Sequence, residues 1–161
     1  MTTGGGFDSN YGDPRFSPAP GHVVPGPLAT RWLARVIDGG ILGLSSYVVL
    51  AALHMQSSIA VTGLFTGVLM FVYFVAFEVT QGWTPGKKLL GLGVRGPGGA
   101  PKPDLRQSAI RNAFTLLPVI PFVGGLLGVI AIIGIAVTIS SSPTKQGKHD
   151  ELAGDTQVVK V

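Results

Sequence analysis

The chain has 161 residues, 46% of them hydrophobic and 12% charged, with a mean hydropathy of +0.46 and a formal charge of +4. Soluble domains carry about twice that share of ionised side chains, so water is excluded as the medium for most of this surface, and the basic balance cannot be read as a nucleic-acid face. The absence of cysteine removes disulfides, thiolate nucleophiles and Cys-ligated metals.

Residues 1–30 hold six Gly and five Pro with scattered Asp8, Asp13 and Arg15. Such a composition cannot bury enough surface to offset its ordering entropy and is expected to be a disordered tail. It has neither the basic start nor the immediate apolar stretch of a signal peptide.

Gly39 to Phe77 is a run of 39 residues without Asp, Glu, Lys or Arg. As one helix it would extend roughly 58 Å, against a hydrocarbon core of about 30 Å. It must fold back, and the polar cluster His54, Gln56, Ser57, Ser58 is where it can do so. This predicts a helical hairpin with spans at about 32–53 and 59–80, since only helices satisfy an isolated backbone in lipid.

A second uncharged run, Asn112 to Thr144, is broken by Pro118, Pro121 and the pair Gly124, Gly125. Within this third apolar region, about 113–140, two arrangements fit. One helix can span from Phe122 to Ser140 after an interfacial helix at Leu105 to Leu117, or two shorter helices can form a second, partly re-entrant hairpin. Hydropathy alone favours the first. The predicted fold is an all-α integral membrane protein with a basic loop at 81–112 and a C-terminal tail at 141–161. A small β element is expected there: Leu89 to Arg95 reads as a strand with Val158 to Val161 as its partner.

Orientation follows from Lys and Arg near span ends. The 81–112 connection carries Lys87, Lys88, Arg95, Lys102, Arg106 and Arg111 against Asp104 alone, whereas the tip of the first hairpin is uncharged. The connection is expected to be cytoplasmic, with Arg31 and Arg35 and the N-terminus on the same side.

A helix entering at Pro27 or Leu28 would carry Arg31, Arg35 and Asp38 on one face, within about 60° of arc. Counted from the tip near Met55, Glu78 lies 23 residues along the second span, and Arg35 and Arg31 lie 20 and 24 residues back along the first. Glu78 is therefore expected to reach the arginines. Three readings are open: the arginines snorkel while Asp38 neutralises Arg35; the carboxylates mark a site for an ion, proton or polar ligand; or the helix starts later and Asp38 is an interfacial acid. The pairs Gly39/Gly43, Gly63/Gly67 and Gly124/Gly128 have the spacing that lets helices approach closely in lipid. Trp83, Tyr73, Phe74 and Phe77 read as interface and packing aromatics.

Other motifs fail on context. Gly91, Gly93 and Gly96 match a dinucleotide fingerprint, but Pro97, Gly98 and Gly99 forbid the helix it needs. Thr84-Pro-Gly-Lys-Lys88 resembles a phosphate loop, yet Gln81 stands where its first glycine belongs. His149, Asp150 and Glu151 make a poor metal set and read as a solvated helix start. No serine, histidine and aspartate arrangement can be argued, so neither catalysis, cofactor nor metal is expected.

Arg31-Trp-Leu-Ala-Arg-Val-Ile-Asp38 resembles the signature of the RDD family of small membrane proteins. Gln81-Gly-Trp-Thr-Pro-Gly-Lys-Lys-Leu-Leu-Gly-Leu-Gly-Val94 is similar to its T-P-G-K-x-x-x-G loop, and His149-Asp-Glu-Leu-Ala-Gly-Asp-Thr-Gln-Val-Val159 to its closing H-D-x-x-A-G-T-x-V-V, with Asp155 inserted. The resemblance brackets residues 31–161 and implies that the namesake residues are Arg31, Asp38 and Asp150. It implies a role in transport, including cation/proton exchange for some members. It also implies that Asp150 joins Arg31 and Asp38, so that the tail is cytoplasmic and the apolar region forms the second hairpin; Lys145, Lys148 and Lys160 lean the same way.

The expectation is thus a multi-pass protein of the cell (inner) membrane that binds or moves a cation, proton or small polar solute. Asp38 and Glu78 would be acceptors and Arg31 and Arg35 their charge partners, with Asp150 joining the ligand- or ion-binding site, and a homo-oligomer would form through the Gly faces. The alternative is a non-transporting accessory or scaffold protein that binds anionic lipid or a partner.

Overall fold

A computed structural model describes residues 24–55 and 57–161; residues 1–23, most of the expected tail, and Gln56 lie outside the described residues. Two long helices, α1 (Leu28–Ala52) and α2 (Ile59–Gln81), form the first hairpin, close to the spans at 32–53 and 59–80. Ser58 caps α2 by accepting a hydrogen bond from Val61 N, and Gly82 closes it in the left-handed conformation (φ 74°). Helix α1 enters through Pro27 and is already helical at Leu28, so Asp38 lies well inside it and the late-start reading is overturned.

After α2 the chain forms α3 (Pro85–Leu89), β1 (Leu92–Arg95), α4 (Leu105–Asn112), a 3-10 segment (Ala113–Val119), α5 (Gly124–Ser141), α6 (Lys148–Leu152) and β2 (Gln157–Lys160). Strands β1 and β2 pair antiparallel with Leu92 opposite Lys160 and Arg95 opposite Gln157. The strand starts three residues later than expected because α3 runs through Leu89 and the chain turns at Leu90 and Gly91. Val24–Pro27 adds to the far edge of β2: Lys160 N donates to Val24 O at 2.9 Å and Gly26 N to Val158 O at 3.0 Å. Leu92, Val94 and Val158 pack with Ala34 of α1 into a small apolar core beneath this sheet.

Among the described residues three helices, α1, α2 and α5, are long and apolar enough to cross a membrane. The segment before α5 is a fourth, shorter arm, separate from α5. Asp104 and Gln107 start it with a reciprocal capping box. It then runs along α2: Ser108 and Asn112 reach Glu78, the Thr115 carbonyl lies against Gly67, and the Pro118 carbonyl lies against Gly63. From Glu78 to Gly63 is roughly 22 Å of helix. Any side chain at Gly63 would collide with Pro118 O, so the glycine is required by close approach. The chain turns at Pro121 and Phe122, and α5 returns with Gly124 against Leu117 and Gly128 against Pro118. This is the second hairpin, and it brings α6 and β2 back to the end that holds α3 and β1.

Two of the three glycine pairs are consumed by this packing. Of the third, Gly39 meets only Met70 Cε, at 3.8 Å from where a Cβ would lie, and Gly43 faces open space. Large apolar side chains cover the outside of the helices, among them Leu44 (67% exposed), Val129 and Ile133. For three long apolar helices this is a lipid-facing surface, and the molecule is an all-α integral membrane protein with a small two-stranded cap.

Candidate functional site

The buried face of α1 reads Arg31, Ala34, Asp38, Leu42, Ser46, Leu50, a stripe of spacing three and four. Its polar end meets α2, α3, α4 and α6, and there the buried charges of the molecule gather.

Asp38 is fully buried and accepts three hydrogen bonds. Tyr73 Oη (2.9 Å) and Gly86 N (2.8 Å) donate to Oδ1, and Thr84 Oγ1 (2.5 Å) donates to Oδ2. The Thr84-Pro85-Gly86 turn wraps this carboxylate because Thr84 caps α3 and Pro85 presets its first turn. A Cβ on Gly86 would strike Ala34 O and Asp38 Cγ, so the position demands glycine. The helix start that fails as a phosphate loop thus holds an anion, the chain's own. Asp38 does not neutralise Arg35: no ion pair joins them, and the snorkelling reading loses its second half.

Glu78, also fully buried, is held by Lys87 Nζ on Oε1 and by Ser108 Oγ (3.0 Å) and Asn112 Nδ2 (2.9 Å) on Oε2, with Arg111 Nε 3.6 Å away. Glu78 approaches Arg35 only through Asn112, whose amide donates to Glu78 while its Oδ1 accepts from Arg35 Nη2 at 2.9 Å. The Arg35 guanidinium lies between two rings, 4.1 Å from the Phe74 centroid and 4.9 Å from that of Phe114. Among the described residues it has no carboxylate within 4 Å.

Asp150 is the third buried carboxylate, and the reading of its segment as a solvated helix start is corrected here. It pairs with Arg111 Nη1 at 3.0 Å and Arg31 Nη1 at 3.6 Å and accepts from Gly147 N at 3.2 Å. Arg31 also donates from Nε to Gly26 O (2.9 Å) and from Nη2 to Val158 O (2.8 Å), tying the start of α1 to β2. Of the namesake residues, Arg31 and Asp150 meet, while Asp38 occupies a separate pocket of donors.

Burial and the neighbouring arginines, acting against the attraction of Glu78, bring Lys87 down to about 8. Burial pushes His149 down to about 3, against the pull of Asp150, so its imidazole is neutral at physiological pH. Its ring stands edge-on to Phe114, with Nε2 3.4 Å from Asp150 Oδ1.

The cluster joins four cations, Arg31, Arg35, Lys87 and Arg111, to three carboxylates, leaving one positive charge in excess. Thr84, Gly86, Lys87, Ser108, Arg111 and Asn112 were not expected in it. The one signal for Thr84, Gly86 and Lys87 was the resemblance to the T-P-G-K loop; by charge alone Lys87 and Arg111 read as loop residues. Trp83 packs near Phe77 with Lys88 Nζ 4.0 Å over its ring, as an interface aromatic would.

No curated protein and no solved structure shows a significant match to the chain. The model of the RDD family matches residues 25–154, ending at Gly154, immediately before the inserted Asp155. That match covers the stripe on α1, the Thr-Pro-Gly-Lys turn, the second hairpin and the Asp150 segment, and by it the chain belongs to the RDD family.

Proposed function

We propose that this is a non-enzymatic, non-transporting accessory protein of the cell membrane whose charged end recognises anionic groups, with both that end and the chain termini on the cytoplasmic side. One observation carries the reading: both oxygens of each carboxylate that would serve as a cation acceptor are already engaged by the chain's own donors. Asp38 has three hydrogen bonds and Glu78 three, with Arg111 beside it. A cation entering at Asp38 would have to displace three hydrogen bonds to the carboxylate, and one entering at Glu78 would also have to sit beside Lys87 and Arg111. The unmatched charge is positive, at Arg35. Lys88, Arg95, Lys102 and Arg106 lie on the same end of the molecule, which agrees with a cytoplasmic placement and with attraction to anionic headgroups.

The test is flux. The full chain, reconstituted in vesicles with an internal pH dye and imposed sodium or potassium gradients, is expected to pass no more protons than protein-free vesicles. Saturable cation-coupled proton movement that Asp38→Asn abolishes overturns the reading in favour of exchange.

A further inference from the structure

A cleft of about 280 Å³ opens sideways between α1 and α5, floored by α2 and the 3-10 segment. It is at the small end of ligand cavities and has an internal polarity. Arg31, Arg35 and His149 line one end, and Gly39, Ile132 and Gly128 the other, with Trp32 (58% exposed) on its rim. From Leu28 to Gly39 the groove follows α1 for roughly 16 Å, about half the 30 Å hydrocarbon core, which is one leaflet. Its charged end lies at the end of the molecule that carries the basic loop, so its polarity has the sense of a lipid standing in that leaflet.

The charged end has free capacity for an anion. Arg35 spends one N–H on Asn112 and, among the described residues, meets no carboxylate. Arg31, whose side chain is 8% exposed, has Nη1 without a hydrogen-bond partner, its ion pair to Asp150 standing off at 3.6 Å. A guanidinium held between two aromatic rings at a lipid-facing opening is preorganised for a phosphate oxygen. We infer that this cleft binds one anionic phospholipid of the cytoplasmic leaflet, its phosphate on Arg35 and one acyl chain lying along α1 between α1 and α5. The inference rests on the functional reading above and gives it a site and a ligand class.

Tryptophan quenching tests it. The chain has two tryptophans, so Trp83→Phe leaves Trp32 on the rim as sole reporter. The full chain is reconstituted in phosphatidylcholine vesicles containing a minor fraction of dibrominated phosphatidylglycerol or, separately, the same fraction of dibrominated phosphatidylcholine. Phosphatidylglycerol is expected to quench with a relative affinity roughly fivefold higher, the worth of one cation at a lipid surface. Arg35→Gln should equalise the two lipids and Arg35→Lys restore part of the difference. Ala136→Phe fills the groove without touching a charge and should abolish the preference in a protein that keeps its fold. Equal quenching by both lipids in the parent overturns the site. So does a preference that survives both Arg35→Gln and Ala136→Phe, since the lipid is then held elsewhere, as on the basic loop. Either result is distinct from failure of the functional reading, which shows as flux whatever occupies the cleft.

Discussion

The two ends of this molecule are built by different physics. At the charged end, side chains from five segments bond one another, and Asp38, Glu78 and Asp150 are fully buried. At the tip end, helices meet through backbone: Gly63 against Pro118, Gly67 against Thr115, Gly124 against Leu117. In lipid there is no hydrophobic drive to bring helices together. Close approach holds the tip, and donor and acceptor matching holds the other end. The matching is selective where close approach is permissive, so the arrangement of the four arms is specified at the charged end.

The sharpest break of that contrast is Glu78→Gln. Neutralising it leaves Lys87 and Arg111 buried without their shared counter-charge, a loss of roughly 3 to 5 kcal/mol, read as a fall in the detergent unfolding midpoint. Glu78→Gln with Lys87→Met should cost less than the sum of the two single changes, because they share one bond. Additive losses would mean that the pair is not coupled.

Next in size is Gly86→Ala. Its Cβ would meet Ala34 O and Asp38 Cγ, so α3 must lift from α1, at about 1 to 3 kcal/mol. Thr84→Val, which removes both a donor to Asp38 and the side-chain cap of α3, should cost roughly 1 to 3 kcal/mol as well. Were Gly86→Ala neutral in the same unfolding assay, the wrapping of Asp38 by the Thr-Pro-Gly turn would not be what seats α3.

A smaller effect is set by pH. His149 is held at about 3, against an ordinary value of 6.5, by burial. Between those values the unfolded chain binds a proton that the folded chain refuses, so stability falls as pH drops below 6.5 and this group contributes no slope above it. At pH 5.5 the loss is about 1 kcal/mol relative to pH 7. His149→Gln keeps a neutral polar group and should flatten that part of the profile; an unchanged slope would assign the acid sensitivity to another residue.

What could be read in the sequence divides along the same line. Spans α1 and α2 were legible because 39 uncharged residues and a polar tip leave one way to fold. The β pairing was legible from alternation and from the proline and glycine around it. Hydropathy alone does not reveal the second hairpin, because the upper half of its descending arm is polar: Ser108, Arg111 and Asn112 face Glu78 and Asp150. Local pattern cannot report that a polar face will be covered. The resemblance supplied that arm through Asp150. The stripe on α1 was likewise visible at helical spacing, but its partners were not: Arg31 pairs with a residue more than a hundred positions away, and Asp38 with a turn that read as a failed phosphate loop. Net charge placed Lys87 and Arg111 in a basic loop, when each is buried against a carboxylate.

The smallest expected effect tests the permissive end. Leu44 (67% exposed) and Leu50 (2%) stand on different faces of α1, one turned outward and one packed inside. Leu50→Ala opens a cavity and forfeits contacts, at about 2 kcal/mol or more. Leu44→Ala exchanges one lipid contact for another and should change stability by under about 0.5 kcal/mol. The pair also bears on assembly, since Gly40 and Gly43 have nothing within 4 Å of where a side chain would begin. If Leu44→Ala proves as costly as Leu50→Ala in vesicles and the cost falls as protein is diluted in lipid, the outer face of α1 is packed against a second copy. Equal, dilution-independent stability for Leu44→Ala and the parent leaves that face to the bilayer.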